Sequence, residues 1–161
     1  FLALFSNAKI FIRYLRCILI GFPTWFVVGV LVSFSPEFAK ALGVNGSISA
    51  GDAVMYAYIG LVLGDLLSGG LSQYLQSRIK VMFIFLLLSG VVTFIYLNAY
   101  EVSSTILYIL TFLLGFSNGF WVIFVTIGAE QFGTNLRATV TTTVPNFARG
   151  VLPLITLMFR Q

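Results

Sequence analysis

Residues 81–97 read VMFIFLLLSGVVTFIYL and residues 105–128 read TILYILTFLLGFSNGFWVIFVTIG, and neither run contains Asp, Glu, Lys or Arg. A helix needs about 20 apolar residues to cross a hydrocarbon core roughly 30 Å thick, so both runs are long enough to span a bilayer. Three more stretches have similar length and character: Cys17 to Phe34, Ser49 to Leu71, and Val140 to Phe159. Backbone groups in lipid must bond internally, which leaves helices or closed barrels, and unbroken apolar runs lack the alternation of a barrel. The sequence therefore predicts an all-α integral membrane protein with five transmembrane helices, over about 17–34, 49–71, 81–97, 105–128 and 140–159.

The composition agrees with this reading. Of 161 residues 59% are hydrophobic and 9% charged, against about a quarter charged in a soluble domain. Long apolar runs exclude disorder, and one cysteine, Cys17, excludes a disulfide scaffold. The formal charge of +4 is a topology signal and not a nucleic-acid signal. Lys9, Arg13, Arg16, Arg78, Lys80 and Arg137 fall on one side of the alternating spans, while Lys40 and, near the end, Arg160 fall on the other. Short loops rich in Lys and Arg stay in the cytoplasm, so the sequence predicts a multi-pass protein of the cell membrane whose amino terminus is cytoplasmic. The first run is too long for a signal peptide and no small-residue cleavage pattern follows it. The odd number of spans, the initial Phe1 and an end just after an apolar run suggest a piece of a longer protein.

Charge inside the bilayer costs at least about 2.5–3.5 kcal/mol, so each intramembrane ion needs a partner or a purpose. Asp65 lies roughly 9 Å from the cytoplasmic end of the second span and Arg149 roughly 14 Å into the fifth. Two readings follow: a shared polar cavity, with Asp65 as a proton or cation site and Arg149 as an anchor for an anionic group, or a structural ion pair between two helices. In the fifth span Thr141, Thr142 and Thr143 precede Pro145, Asn146, Arg149, Gly150 and Pro153. Asn146 and Arg149 share a helical face, while the two prolines each remove a backbone donor. Pro23, Thr24 and Trp25 make a weaker interruption in the first span. Gly60 and Gly64, like Gly115 and Gly119, have the spacing that lets helices approach closely.

No histidine is present, so neither a serine triad nor an H-E-x-x-H zinc site exists, and Gly115-Phe116-Ser117-Asn118-Gly119 is a packing motif despite its G-x-S-x-G form. Phosphate-loop and dinucleotide-binding patterns are missing as well. Catalysis, a bound metal and a cofactor are therefore not expected. Asn118 and Trp121 in the fourth span are candidates for contact with a cavity. Asn45-Gly46-Ser47 in the first outer connection has the sugar-attachment pattern.

Two loops carry a family resemblance. At the inner end of the second span the chain reads Gly70-Leu71-Ser72-Gln73-Tyr74-Leu75-Gln76-Ser77-Arg78-Ile79-Lys80, and at that of the fourth Glu130-Gln131-Phe132-Gly133-Thr134-Asn135-Leu136-Arg137. The first resembles the loop motif of the major facilitator superfamily of secondary transporters. Gly70 and Arg78 match, Ser77 replaces a glycine, Lys80 is one place late, and Tyr74 and Leu75 stand where the family has an acid and a base. The Glu130 and Arg137 spacing resembles the charged pair flanking a later loop of sugar-porter-like members. The resemblance implies helices seven to eleven of a twelve-helix transporter, with the amino-terminal half as the alternative. It implies a cytoplasmic gate of Arg78, Glu130 and Arg137, against the simpler reading that the basic residues only fix orientation. It also implies a central cavity lined by Trp25, Asn118 and Trp121, with Asp65 and Arg149 facing the missing other half. The expected function is secondary active or facilitative transport, by alternating access and with or without protons, of a small solute that Arg149 tilts toward the anionic or zwitterionic. A non-transporting membrane scaffold or assembly subunit is the alternative.

Overall fold

A computed structural model describes residues 7–159, in which α-helices and one π segment carry the chain and no strand forms. Arg160 lies outside the described residues. In chain order the helices are α1 (Ala8–Phe26), continued by the π segment Val27–Val32, α2 (Ser35–Ala41), α3 (Ala50–Tyr74), α4 (Arg78–Leu97), α5 (Ser104–Ser117), α6 (Trp121–Glu130), α7 (Thr134–Gly150) and α8 (Leu152–Phe159). Among the described residues four segments are long and apolar enough to cross a membrane, Ala8–Val32, Ala50–Tyr74, Arg78–Leu97 and Ser104–Glu130, and the fifth predicted span, 140–159, is not one of them.

Local chemistry sets the helix starts. Asn7 caps α1 through a 2.9 Å bond from the Lys9 amide, and Ser49, Ser77 and Ser103 cap α3, α4 and α5 in the same way. Pro36 sits in the first turn of the short helix α2, inside a segment that reads as a connection in the sequence. The first span begins nine residues earlier than the apolar pattern indicates, so Lys9, Arg13 and Arg16 belong to the helix.

The fourth and fifth apolar stretches are each divided. Asn118, Gly119 and Phe120 interrupt the fourth between α5 and α6. The fifth breaks at Val151, two residues before Pro153, whereas Pro145 lies within the continuous helix α7. A proline restricts the residue before it and offers no amide to the preceding turn, which accounts for a break at Pro153. Pro145 is accommodated, as is Pro23 inside α1.

The α3–α5 crossing is the tightest in the bundle. A Cβ on Gly60 would lie 2.9 Å from the Phe116 amide nitrogen, one on Gly64 2.9 Å from the Gly119 Cα, and one on Gly115 2.6 Å from the Ala57 carbonyl carbon. The small-residue spacing thus brings two backbones into direct contact. One apolar cluster, including Tyr14, Phe85, Phe120, Phe124 and Val144, fills the end that holds the basic residues; a second, including Leu31, Tyr96, Leu107 and Leu114, fills the other. At that other end the loops are tied together, since the Asn45 amide donates to the Val102 carbonyl at 3.0 Å and the Ser104 amide to the Asn45 carbonyl at 3.2 Å.

Candidate functional site

The first polar place lies where α1 loosens. Four residues after Pro23 the helix widens into the π segment, and such local rewinding often accompanies functional sites. Thr24 and Trp25 sit in that last α-helical turn. The Thr24 hydroxyl and the Trp25 Nε1 are both buried and without a hydrogen-bond partner. This sets Thr24 apart from the other buried threonine, Thr111, whose hydroxyl donates to the Tyr108 carbonyl of its own helix. An orphaned buried hydroxyl costs about 1–3 kcal/mol, so its persistence calls for a use.

Thr24, Trp25 and Val28 line a cavity of about 130 Å³ with Tyr58 and Leu61 of α3 and Trp121 of α6. At about 30 Å³ per water, that is room for roughly four waters or a solute of a few heavy atoms. The Trp25 and Trp121 rings meet edge to face, with centroids 5.6 Å apart. The Arg149 guanidinium lies 5.6 Å from the Trp25 ring centroid, a cation–π contact that leaves its charge next to the cavity wall. Asn146 shares the exposed face of α7 with Arg149, donates to the Thr142 carbonyl at 2.7 Å and lines a separate open groove of about 520 Å³.

The second place is the break between α5 and α6. A helix start leaves amides without partners, and α6 has no capping side chain of its own. Asp65 of α3 supplies it: the half-buried carboxylate accepts the Val122 amide at 3.4 Å and lies against that of Trp121. A carboxylate also suits the positive end of a helix dipole. The contact is possible because Gly119 lies against Gly64 and the Asp65 backbone, where a Cβ would be 2.5 Å from the Asp65 nitrogen. Asn118 is fully buried behind the break, donating to the Ser89 hydroxyl at 3.1 Å and the Leu114 carbonyl at 2.8 Å. It packs α5 against α4 and is not among the residues lining the cavity.

The third place is the basic end. Among the described residues the one ion pair joins Arg78, the first residue of α4, to Glu130, the last of α6. They border an open cleft of about 660 Å³ with Ser72, Gln73, Gln76, Ser77, Ile79, Ile127 and Gln131. Arg13 of α1 donates to the Gln131 carbonyl at 2.9 Å, a cation at the carboxyl end of a helix. Arg137 is exposed on α7 and makes no ion pair with Glu130.

Of the residues singled out from sequence, Trp25, Trp121 and Arg149 come together, Asp65 joins them through α6, and Arg78 pairs with Glu130. Asp65 and Arg149 do not pair in this conformation; Asp65 is held by backbone amides and Arg149 by an aromatic face. Sequence reasoning passes over Tyr58 and Ser89, whose roles depend on tertiary contacts, counts Arg13 only among the residues that set orientation, and treats Thr24 only as part of the interruption at Pro23. Among the described residues no three His, Cys, Asp or Glu side chains gather as a metal would require. No protein family, curated protein or solved structure matches the chain.

Proposed function

We propose that the chain is part of a secondary transporter of the major facilitator type, occupying the position of helices seven to eleven and working with a second helical bundle. The solute is small and anionic or zwitterionic, and the site is the cavity bordered by Trp25, Trp121 and Thr24. The observation that carries the reading is the polar capacity gathered there: two of the four buried side-chain polar atoms without partners among the described residues, Thr24 Oγ1 and Trp25 Nε1, and a guanidinium at an aromatic wall. Such groups within a membrane protein mark solute or ion pathways. A divided helix beside the cavity supports the same reading, since interrupted helices at membrane depth are tolerated where they line a cavity.

In this reading α7 and α8 form the fifth span and the basic end faces the cytoplasm of a cell whose outer boundary membrane holds the protein. The Arg78–Glu130 pair belongs to a gate that closes the inner side, with Arg137 added to it in another conformation. Asp65 is the position at which a coupled proton would act. Uptake of labelled small carboxylates and amino acids into proteoliposomes containing the full-length protein, with and without a proton gradient, tests the assignment. Flux that Trp25→Ala abolishes and Lys40→Gln leaves intact is the expected result. A folded protein that moves none of these solutes under either condition would overturn it in favour of a scaffold or assembly subunit.

A further inference from the structure

Helix α6 has a polar attachment at each end and an apolar middle. At its start Trp121 forms part of the cavity wall and touches Trp25, while the next amide, that of Val122, is held by Asp65. At its close Glu130 pairs with Arg78, and the following carbonyl, that of Gln131, is held by Arg13. Between them Ile123, Phe124 and Ile127 are buried in the core. Ten helical residues make a rod of about 15 Å, too short to bend appreciably, so a displacement at one end is transmitted to the other.

The breaks on either side let the rod move as a unit. Before it, the amides of Asn118 to Phe120 make only turn-type bonds, with the Asn118 side chain held by Ser89 and the Leu114 carbonyl, and after it Gly133 opens α7 without a side-chain cap. Among the described helices of fourteen residues or more, α1, α3, α4 and α5 are fixed by caps from their own flanking residues, while α7 has none. The start of α6 is fixed instead from a different helix, so its position depends on where α3 stands.

We infer that α6 is a two-ended lever joining the cavity to the basic end, with Asp65 as the positioning residue that holds Trp121 in the cavity wall and the Arg78–Glu130 pair as the latch at the far end. Loosening either attachment shifts the occupancy of the other. This rests on the transport reading for its purpose, giving the solute site and the gate a common moving part, but its test requires no transport.

The sequence supplies both reporters. Trp25 and Trp121 are its only tryptophans and both belong to the cluster, so indole emission reads the cavity end. Cys17 is its only cysteine, buried with Sγ 3.8 Å from Gln131 Oε1, so thiol labelling reads the basic end. In the 161-residue chain in lipid nanodiscs, Glu130→Gln should raise acrylamide quenching of the tryptophans, reflecting a two- to fivefold shift in population, about what loss of a half-exposed pair permits. The exchanged pair Arg78→Glu with Glu130→Arg should return quenching to the parent value. In the other direction Asp65→Ala should speed maleimide labelling of Cys17 by a similar factor, since coupling between two sites is reciprocal, and Asp65→Asn, which retains an acceptor, should reverse most of that change. Parent-like quenching in Glu130→Gln, or parent-like labelling in Asp65→Ala, overturns the lever. So does a quenching change that the exchanged pair fails to reverse, because general loosening would not depend on the sign of the charges. Loss of uptake with these couplings intact would count against the transport reading alone.

Discussion

Gly115→Ala tests the core of this architecture. The added Cβ would overlap the Ala57 carbonyl oxygen and lie 2.6 Å from its carbon, whereas carbon atoms in contact rest about 3.5–4.0 Å apart. The obstructing atoms are backbone, so no side-chain rotation relieves the overlap, and α3 and α5 must separate by roughly 1 Å. The same separation opens the neighbouring contacts at Gly60 with Phe112 and at Gly64 with Phe116, because all lie along one seam. In lipid, helix association rests on close packing rather than on exclusion of water, so these losses have no other compensation. Overpacking a tight site costs about 1–3 kcal/mol, and with a whole seam disturbed we expect the upper end. Gly90→Ala provides the internal control: nothing lies within 4 Å of its Cβ, and replacing a mid-helix glycine there should leave stability unchanged or raise it by about 0.5–1 kcal/mol. Unfolding of both variants in nanodiscs, followed by helix content against denaturant, gives the difference directly. Equal midpoints for Gly115→Ala and Gly90→Ala would refute the claim that α3 and α5 meet backbone to backbone.

Two further outcomes follow from buried polar groups. Thr24→Val keeps the shape of the side chain and removes a hydroxyl without a partner, so thermal unfolding should shift upward by about 1 kcal/mol while uptake falls; a destabilised variant with normal uptake would mean that the hydroxyl is satisfied and not held for a solute. Tyr96→Phe removes the 3.1 Å bond that a fully buried hydroxyl donates to the Leu31 carbonyl in the π segment. It should cost about 1–2 kcal/mol and raise amide exchange across residues 27–32, and an unchanged exchange pattern would show that the segment does not rely on this bond.

The apolar spans and the glycine spacings are legible in the sequence because both depend on local pattern. Composition alone specifies that Val81 to Leu97 is a membrane-length helix, and a four-residue glycine spacing specifies a close approach, though not its partner. The break at Asn118 to Phe120 is less legible, since the residues read as a continuous apolar run and the interruption is supported by what Gly119 meets across the crossing. Asp65 shows the same limit from the other side. A charge at bilayer depth announces that it needs a partner, and Arg149 is the obvious cation, but backbone amides carry no letter in the sequence and become available only once a helix has ended nearby. The prolines mislead in a similar way. Pro145 sits among polar residues and Pro153 among apolar ones, yet the helix ends before Pro153, where the backbone rather than side-chain chemistry decides.

The crossing of α3 and α5 also restricts how the bundle can rearrange. Packed helices slide past one another when intervening side chains switch between rotamers, which acts as a lubricating layer. At Gly60, Gly64, Gly115 and Gly119 that layer is missing, and main chain rests on main chain like a key in its slot. The two helices therefore travel as one body, and compliance is left to joints in the chain outside that seam: the π segment at Val27–Val32 and the break at Val151.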